Sequence, residues 1–378
     1  MEPFKNLLNP ALVRTTGARL QRAWPPFERK AFERQALAGL EALELKARAQ
    51  HIASALEATL PIDFGDAADV LEASLAPPRP AGEGLSNDAV DEAAGLRGWI
   101  IWPMGEYVAR RGLLQPQRAL AALHALTQRL TAEWAIRPFI EAHPALTWAT
   151  LQRWTEDPSE HVRRLVSEGS RPRLPWGQQL KGLIADPSPT LPLLQALQDD
   201  PSPYVRRSVA NHLNDIAKDH PGVVADWLAQ HLPQAPAPRR ALLRHASRSL
   251  IKQGDARVLA LWGTGQRLKG SVALSVTPSR IHLGESVSLE LALRSGSRQA
   301  QSLLIDYAVH HVKADGTSSA KVFKGWTLEL APGEQRLLQK THAVRPISTR
   351  RYHAGRHGVD LRINGQICAE AFFDLRLA

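Results

Sequence analysis

The hydrophobic and polar positions divide the chain into two kinds of text. Up to about residue 268, apolar residues recur at helical spacing among Ala, Leu, Gln, Glu and Arg, which are strong helix formers. The segments 27–60 and 114–143 are examples, and a Pro- and Gly-containing stretch at 77–88 breaks the helical run. Near Lys269 the pattern changes to period two. It is cut by the turn pairs Leu283-Gly284, Asp315-Gly316, Pro332-Gly333 and Asn364-Gly365. About seven short strands there predict a β-sandwich of immunoglobulin type, in a form without paired cysteines. The expected chain is multidomain: helical over 1–266 and a sandwich over 267–378.

The middle of the helical part repeats. DPSEHVRRLVSE begins at Asp157, DPSPYVRRSVAN begins 43 residues later at Asp200, and a shorter echo, DPSPTLPLL, begins at Asp186. Asp before Pro is a helix-start signature: the carboxylate caps free N–H groups, and Pro at the first helical position has no N–H to leave unpaired. A period of this length with two helices per unit marks HEAT-like repeats. The fold class is therefore an α-helical HEAT-like repeat solenoid followed by an all-β immunoglobulin-like sandwich.

Three places carry candidate chemistry. In 201–219, Val205, Val209, Leu213 and Ile216 form the stripe to be buried. Arg207, Asn211, Asn214 and Asp215 are read as a second face, holding a cation, two amides and a carboxylate. A solvated face with local ion pairs is the plainer reading, but two amides on one helix face call for a reason. The equivalent helix, about 158–168, carries Arg163, Arg164 and Glu168, with Arg164 and Glu168 spaced for a surface ion pair. It runs into Gly169-Ser170-Arg171-Pro172-Arg173-Leu174-Pro175-Trp176. Two prolines stiffen that loop, and two arginines with a terminal aromatic suit a nucleic-acid backbone beside a base or sugar. A loop simply packed by its tryptophan is the alternative. Upstream, Glu133 precedes Arg137-Pro138. Pro138 is expected to end or kink a helix there, leaving Glu133 in its last turns, where the macrodipole disfavours a carboxylate.

Charge narrows the partner. Lys and Arg number 47 against 37 Asp and Glu, a formal +10, with a pI of about 10; such a chain meets polyanions. The sandwich segment 269–378 holds +6 of this. Its stretch 345–358 is dense in cations, and Arg350, Arg351 and Arg356 are expected to touch a DNA backbone. A packing module with a basic edge is the alternative. One cysteine, Cys368, excludes an intramolecular disulfide framework and a cysteine-based zinc site. There is no HExxH, no phosphate-binding GxxxxGK[ST] and no GxGxxG. No metal and no cofactor are implied. Neither an 18-residue apolar run nor a signal-peptide pattern is present, so a cytoplasmic monomer without membrane partners is expected.

TAEWAIRPFI, HVRRLVSEGSRPRLPW and DDPSPYVRRSVANHLNDIAKDHP together resemble the AlkC-type DNA alkylation-repair glycosylases. PIDFGDAADVLEASL at 61–75 is similar to that family's N-terminal region. The resemblance covers roughly residues 1–265, and 269–378 fits the family's form with an immunoglobulin-like C-terminal domain. Trp134 stands where the family often has Phe. The resemblance implies excision of cationic alkylated bases, 3-methyladenine and 3-methylcytosine, from double-stranded DNA. Such a base leaves neutral, so positive charge develops on the deoxyribose. A carboxylate ~4 Å from that cation, at an effective dielectric of 20, is worth about 4 kcal/mol, roughly a thousandfold in rate. By resemblance Glu168, Asp215 and Glu133 are the carboxylates and Trp176 is an aromatic wall. Arg163, Arg164, Arg171, Arg173, Arg207, Asn211 and Asn214 are the expected DNA contacts. The alternative is a non-catalytic HEAT-repeat scaffold binding nucleic acid or acidic protein, since solenoids are mostly interaction folds.

Overall fold

The computed structural model describes residues 3–78, 82, 95–347 and 350–377. The break at 77–88 lies outside them except for Pro77, Pro78 and Gly82. The chain forms two compact units, one of residues up to 219 with 236–246, the other of 220–235 with 247 onward. The short helices Pro221–His231, Arg248–Gln253 and Ala256–Leu261 thus belong with the strands.

In the first unit the repeat is visible as helix pairs. Pro144–Trp154 precedes Glu160–Gly169, and Leu191–Leu197 precedes Pro203–Asp219. Val205, Val209, Leu213 and Ile216 are buried, as their spacing requires, and so are Val162, Leu165 and Val166. The Asp-Pro pairs work differently from the expectation. The helices begin at Glu160 and Pro203, two residues beyond Pro158 and Pro201. Each Asp instead closes a tight turn, accepting the N–H two residues on: Ser159 N to Asp157 and Ser202 N to Asp200, both at 2.8 Å. Arg163 donates to the carbonyls of Asp157 and Pro158, and Arg206 repeats this on Asp200 and Pro201. The motif therefore builds a rigid corner before each helix.

Pro138 is also corrected. It opens the helix Arg137–Ala142, and Glu133 sits in the turn before it. Near a helix start a proline breaks nothing, because those N–H groups have no intrahelical partner. The expected helix over 114–143 is accordingly interrupted between Thr127 and Arg137.

The second unit carries strands β1 Gly270–Thr277, β2 Arg280–His282, β3 Ser286–Ser295, β4 Gln301–Val312, β5 Ser318–Leu330, β6 Gln335–Ala343, β7 Gly355–Ile363 and β8 Gln366–Arg376. One sheet has the order β1-β3-β6, the other β2-β8-β7-β4-β5. Alternate residues Val287, Leu289, Leu291 and Leu293 of β3 meet Ile305, Tyr307 and Val309 of β4 and Val359, Leu361 and Ile363 of β7 in one core. The four turn pairs all fall between strands. Asn364-Gly365 has positive φ at both residues, 51° and 81°, as a two-residue hairpin turn requires. The buried Asn364 amide fastens that turn, accepting from Leu304 N and donating to the carbonyls of Gln266 and Ser302.

Three histidines lie inside this sandwich: His311, His342 and His357 are 3%, 8% and 0% exposed. Neither ring nitrogen of His311 has a hydrogen-bond partner among the described residues. Burial, and then the charge of Arg350, pushes His311 down to about 3 and His342 to about 4. Burial lowers His357 too. The unfolded chain binds these protons near the ordinary histidine value of about 6.5. Stability is therefore full above about pH 6.5 and falls as pH drops toward the folded-state values. Calorimetric melts of the full chain between about pH 7 and pH 5 should show the transition of the strand-bearing unit moving to lower temperature. His311→Phe should flatten that dependence; an unchanged slope refutes the assignment.

Candidate active site

Glu168 lies at the end of the Glu160–Gly169 helix. Gly169 allows the turn before Arg137 to sit directly on that helix end: a Cβ there would lie 2.6 Å from Ile136 Cγ2. This close approach brings Glu133 beside the helix. Asp215 comes from the Pro203–Asp219 helix. The loop after Gly169 is held from below by Arg137, which is fully buried. Its guanidinium donates to Gln178 O at 2.6 Å, Gly169 O at 2.7 Å and Arg171 O at 2.8 Å. Burial and the neighbouring Arg171 charge bring Arg137 down to about 10.

The result is an alternating line of charges. Arg164 pairs with Glu133 at 2.6 Å and reaches Glu168 at 3.6 Å. Arg171 pairs with Glu168 at 2.5 Å and Asp215 at 2.7 Å. Lys218 closes the line on Asp215 at 2.8 Å. Glu133, Glu168 and Asp215 are 7%, 5% and 2% exposed. Against the three carboxylates stand Arg164 and Arg171 within the line, half-exposed Lys218 at its end and buried Arg137 beneath the loop, whose charge also reaches Glu133 and Asp215.

The groups respond differently to this setting. Burial raises Glu133, and Glu168 adds to the rise, outweighing Arg164. Burial acts the same way on Glu168, but the charges of Arg164 and Arg171 with the Ser208 hydrogen bond overcome it and hold Glu168 below the usual range. The carboxylates raise Arg164 well above its ordinary value against the cost of its burial, and its guanidinium lies 5.2 Å from the centre of the Tyr204 ring.

Trp176 is half-exposed, with φ +62°. It stacks with Trp102 and Trp134 at centroid distances of 6.3 and 6.4 Å, and Trp134 Nε1 donates to Pro175 O. The aromatic face and the carboxylate line thus share one loop and one turn.

Three comparisons bear on this site. The family model described as "DNA alkylation repair enzyme" matches residues 130–250, which include all three carboxylates and Trp176. A second model, the C-terminal Ig-like domain of an uncharacterised protein YhaZ, matches 271–377. The "Uncharacterized protein YhaZ" of Bacillus subtilis is 35% identical over 97% of this chain and 98% of its own. The Pseudomonas fluorescens alkylpurine DNA glycosylase AlkC, solved bound to DNA containing an abasic site analog, superimposes with a TM-score of 0.89. It is 36% identical over 99% of this chain and 100% of its own. The chain belongs to the AlkC-type DNA alkylation-repair glycosylases.

In this AlkC-type chain the sequence-derived cations separate into two groups. Arg171 is buried and Arg164 largely so, both between carboxylates, so the surface ion pair expected for Arg164 is largely internal. Arg163 is paired with Asp200 at 2.7 Å and joins one repeat to the next. Arg173 pairs with Asp219 at 2.7 Å. These guanidiniums are engaged within the protein. Arg207 is exposed, on a cavity of about 320 Å³ shared with Pro203, Arg206, Pro238 and His245. The expected common face of Arg207, Asn211, Asn214 and Asp215 divides. Asn211 accepts from His245, Asn214 is buried, and Asp215 faces Arg171. Eight residues at about 100° each carry Asp215 roughly 80° past Arg207, onto the face of Ser208 and His212. In the AlkC-type sandwich, Arg351 and Arg356 are exposed and Arg350 half-buried, with Arg356 4.2 Å from the Phe372 ring centre.

Sequence reasoning missed Arg137, Ser208, Tyr204 and the partners Trp102 and Trp134. Ser208 could have been found, seven residues before Asp215 and so on its face. Arg137 gave no local signal, because its acceptors lie 32–41 residues away.

Proposed function

We propose that this chain hydrolyses the N-glycosidic bond of cationic alkylated bases, 3-methyladenine and 3-methylcytosine, in double-stranded DNA. The observation that carries the reading is the convergence of Glu133, Glu168 and Asp215 on the guanidiniums of Arg164 and Arg171. A surface that only held DNA would keep carboxylates away from phosphates. One prearranged against a sugar cation would gather them. The P. fluorescens relative's abasic DNA is consistent with such a product.

The C1′–N bond breaks with its electron pair going to the base, which leaves neutral. Positive charge on the deoxyribose is met by Glu168 and Asp215, both anchored by Arg171. Water then adds to C1′ and gives its proton to a carboxylate. Glu133 suits that step: burial makes it the more basic partner of Glu168, and Arg164 and Thr131 both engage its Oε2. Trp176 supplies an electron-rich face for the cationic base. Arg207 on the helical unit and Arg350, Arg351 and Arg356 on the sandwich contact the DNA backbone.

The test is release of free base from a duplex carrying one 3-methyladenine or 3-methylcytosine. Release by the wild-type chain is expected. Release should fall as pH drops through a value above the ordinary glutamate range, because Glu133 must be charged to accept a proton. DNA binding by a folded chain without release would favour the scaffold reading.

A further inference from the structure

Ser208 occupies a place where the repeat elsewhere puts a core residue. Its equivalent 43 residues earlier is Leu165, fully buried. Ser208 is itself 2% exposed, on the side of the Pro203–Asp219 helix that packs against Glu160–Gly169. A hydroxyl here gives up apolar burial, so its partners should explain it.

They do. Ser208 Oγ donates to Glu168 Oε2 at 2.6 Å. Ser167, fully buried and next to Glu168 in the chain, donates to Ser208 Oγ at 2.5 Å. A hydroxyl has one proton. Once Ser208 accepts from Ser167, that proton is directed at Glu168. The backbone beneath is fixed as well. His212, fully buried and brought down to about 4 by its burial, is neutral, and its Nδ1 donates to Ser167 O at 2.8 Å. Glu168 Oε1 faces Arg171 and Arg164. Without Ser208 the attraction on Glu168 comes from the side of Arg164 and Arg171, and the carboxylate is free to swing toward the two guanidiniums.

The geometry points to Ser208 as a positioning residue for Glu168, with Ser167 orienting its hydroxyl. This rests on the glycosylase reading. The alternating line of charges supplies the carboxylate; the serine pair sets where its second oxygen points.

The experiment is a double-mutant cycle in single-turnover base release from a duplex with one 3-methylcytosine. Affinity for a duplex containing a tetrahydrofuran abasic analogue and a thermal melt are measured alongside. Ser208→Ala should slow release about 10- to 100-fold, from the loss of one hydrogen bond to a charged group. Affinity should be unchanged. The same substitution in a Glu168→Gln background should cost nothing further, because the group it positions is already gone. Ser167→Ala should show a smaller, severalfold effect with the same dependence, and serves if Ser208→Ala does not fold. Wild-type release by Ser208→Ala, or an equal penalty in both backgrounds, overturns the inference and leaves the glycosylase reading intact. No release by the wild-type chain sinks both.

Discussion

Glu168→Gln is expected to slow base release by about two to three orders of magnitude while the chain still folds and binds DNA. The size follows from removing one charge ~4 Å from a sugar cation in a partly desolvated site, about 4 kcal/mol at an effective dielectric of 20. Folding survives because each guanidinium keeps a second carboxylate: Arg171 retains Asp215, and Arg164 retains Glu133. Asp215→Asn is expected to act alike, since Arg171 then retains Glu168. The two effects should not add in full, because both carboxylates share Arg171. The comparison to make is single-turnover release beside affinity for an abasic-analogue duplex. Variants that release base at the wild-type rate would remove these residues from the reaction.

Arg137→Ala is expected to loosen the site from beneath. The side chain is fully buried and donates to three carbonyls of the loop that holds Arg171 and Trp176. Alanine leaves the buried carbonyls of Gly169 and Arg171 unpaired, a loss of about 3 kcal/mol or more. For a unit of this size that is roughly 6–12 °C in Tm. Base release should fall with it, since Arg171 loses the backbone that aims it between Glu168 and Asp215. Arg137→Lys should rescue little, because an ammonium cannot reproduce the planar fork. A melt within about 1 °C of wild type would show that the loop holds itself.

These two expectations differ in how far the sequence could lead to them. The helices that carry Glu168 and Asp215 were legible because their buried stripe and repeat spacing are local properties; the choice of those two carboxylates came from the family resemblance. Their partners were not. Arg164 reads as a surface residue when only its own helix is considered; the turn carrying Glu133 covers it. Arg171 reads as a phosphate ligand on an exposed loop, yet Arg137 draws that loop inward. The local argument that singled out Glu133 does not hold, since Pro138 begins a helix there and Glu133 lies in the turn before it. Family resemblance placed the carboxylates together before the structure gave any distance between them.

The sequence by itself determined the change from helix to strand near Lys269, the 43-residue repeat that starts at Asp157 and Asp200, the buried stripe of the Pro203–Asp219 helix and the Asn364-Gly365 hairpin. Each follows from forces acting over a few residues: side-chain periodicity, turn chemistry and backbone sterics. Only the tertiary structure decided which charges neutralise one another, which way the second oxygen of Glu168 points, and which arginines stay exposed. Those outcomes depend on contacts spanning about 30 to 45 residues, where burial strengthens every charge interaction and no local pattern in the chain records the partner.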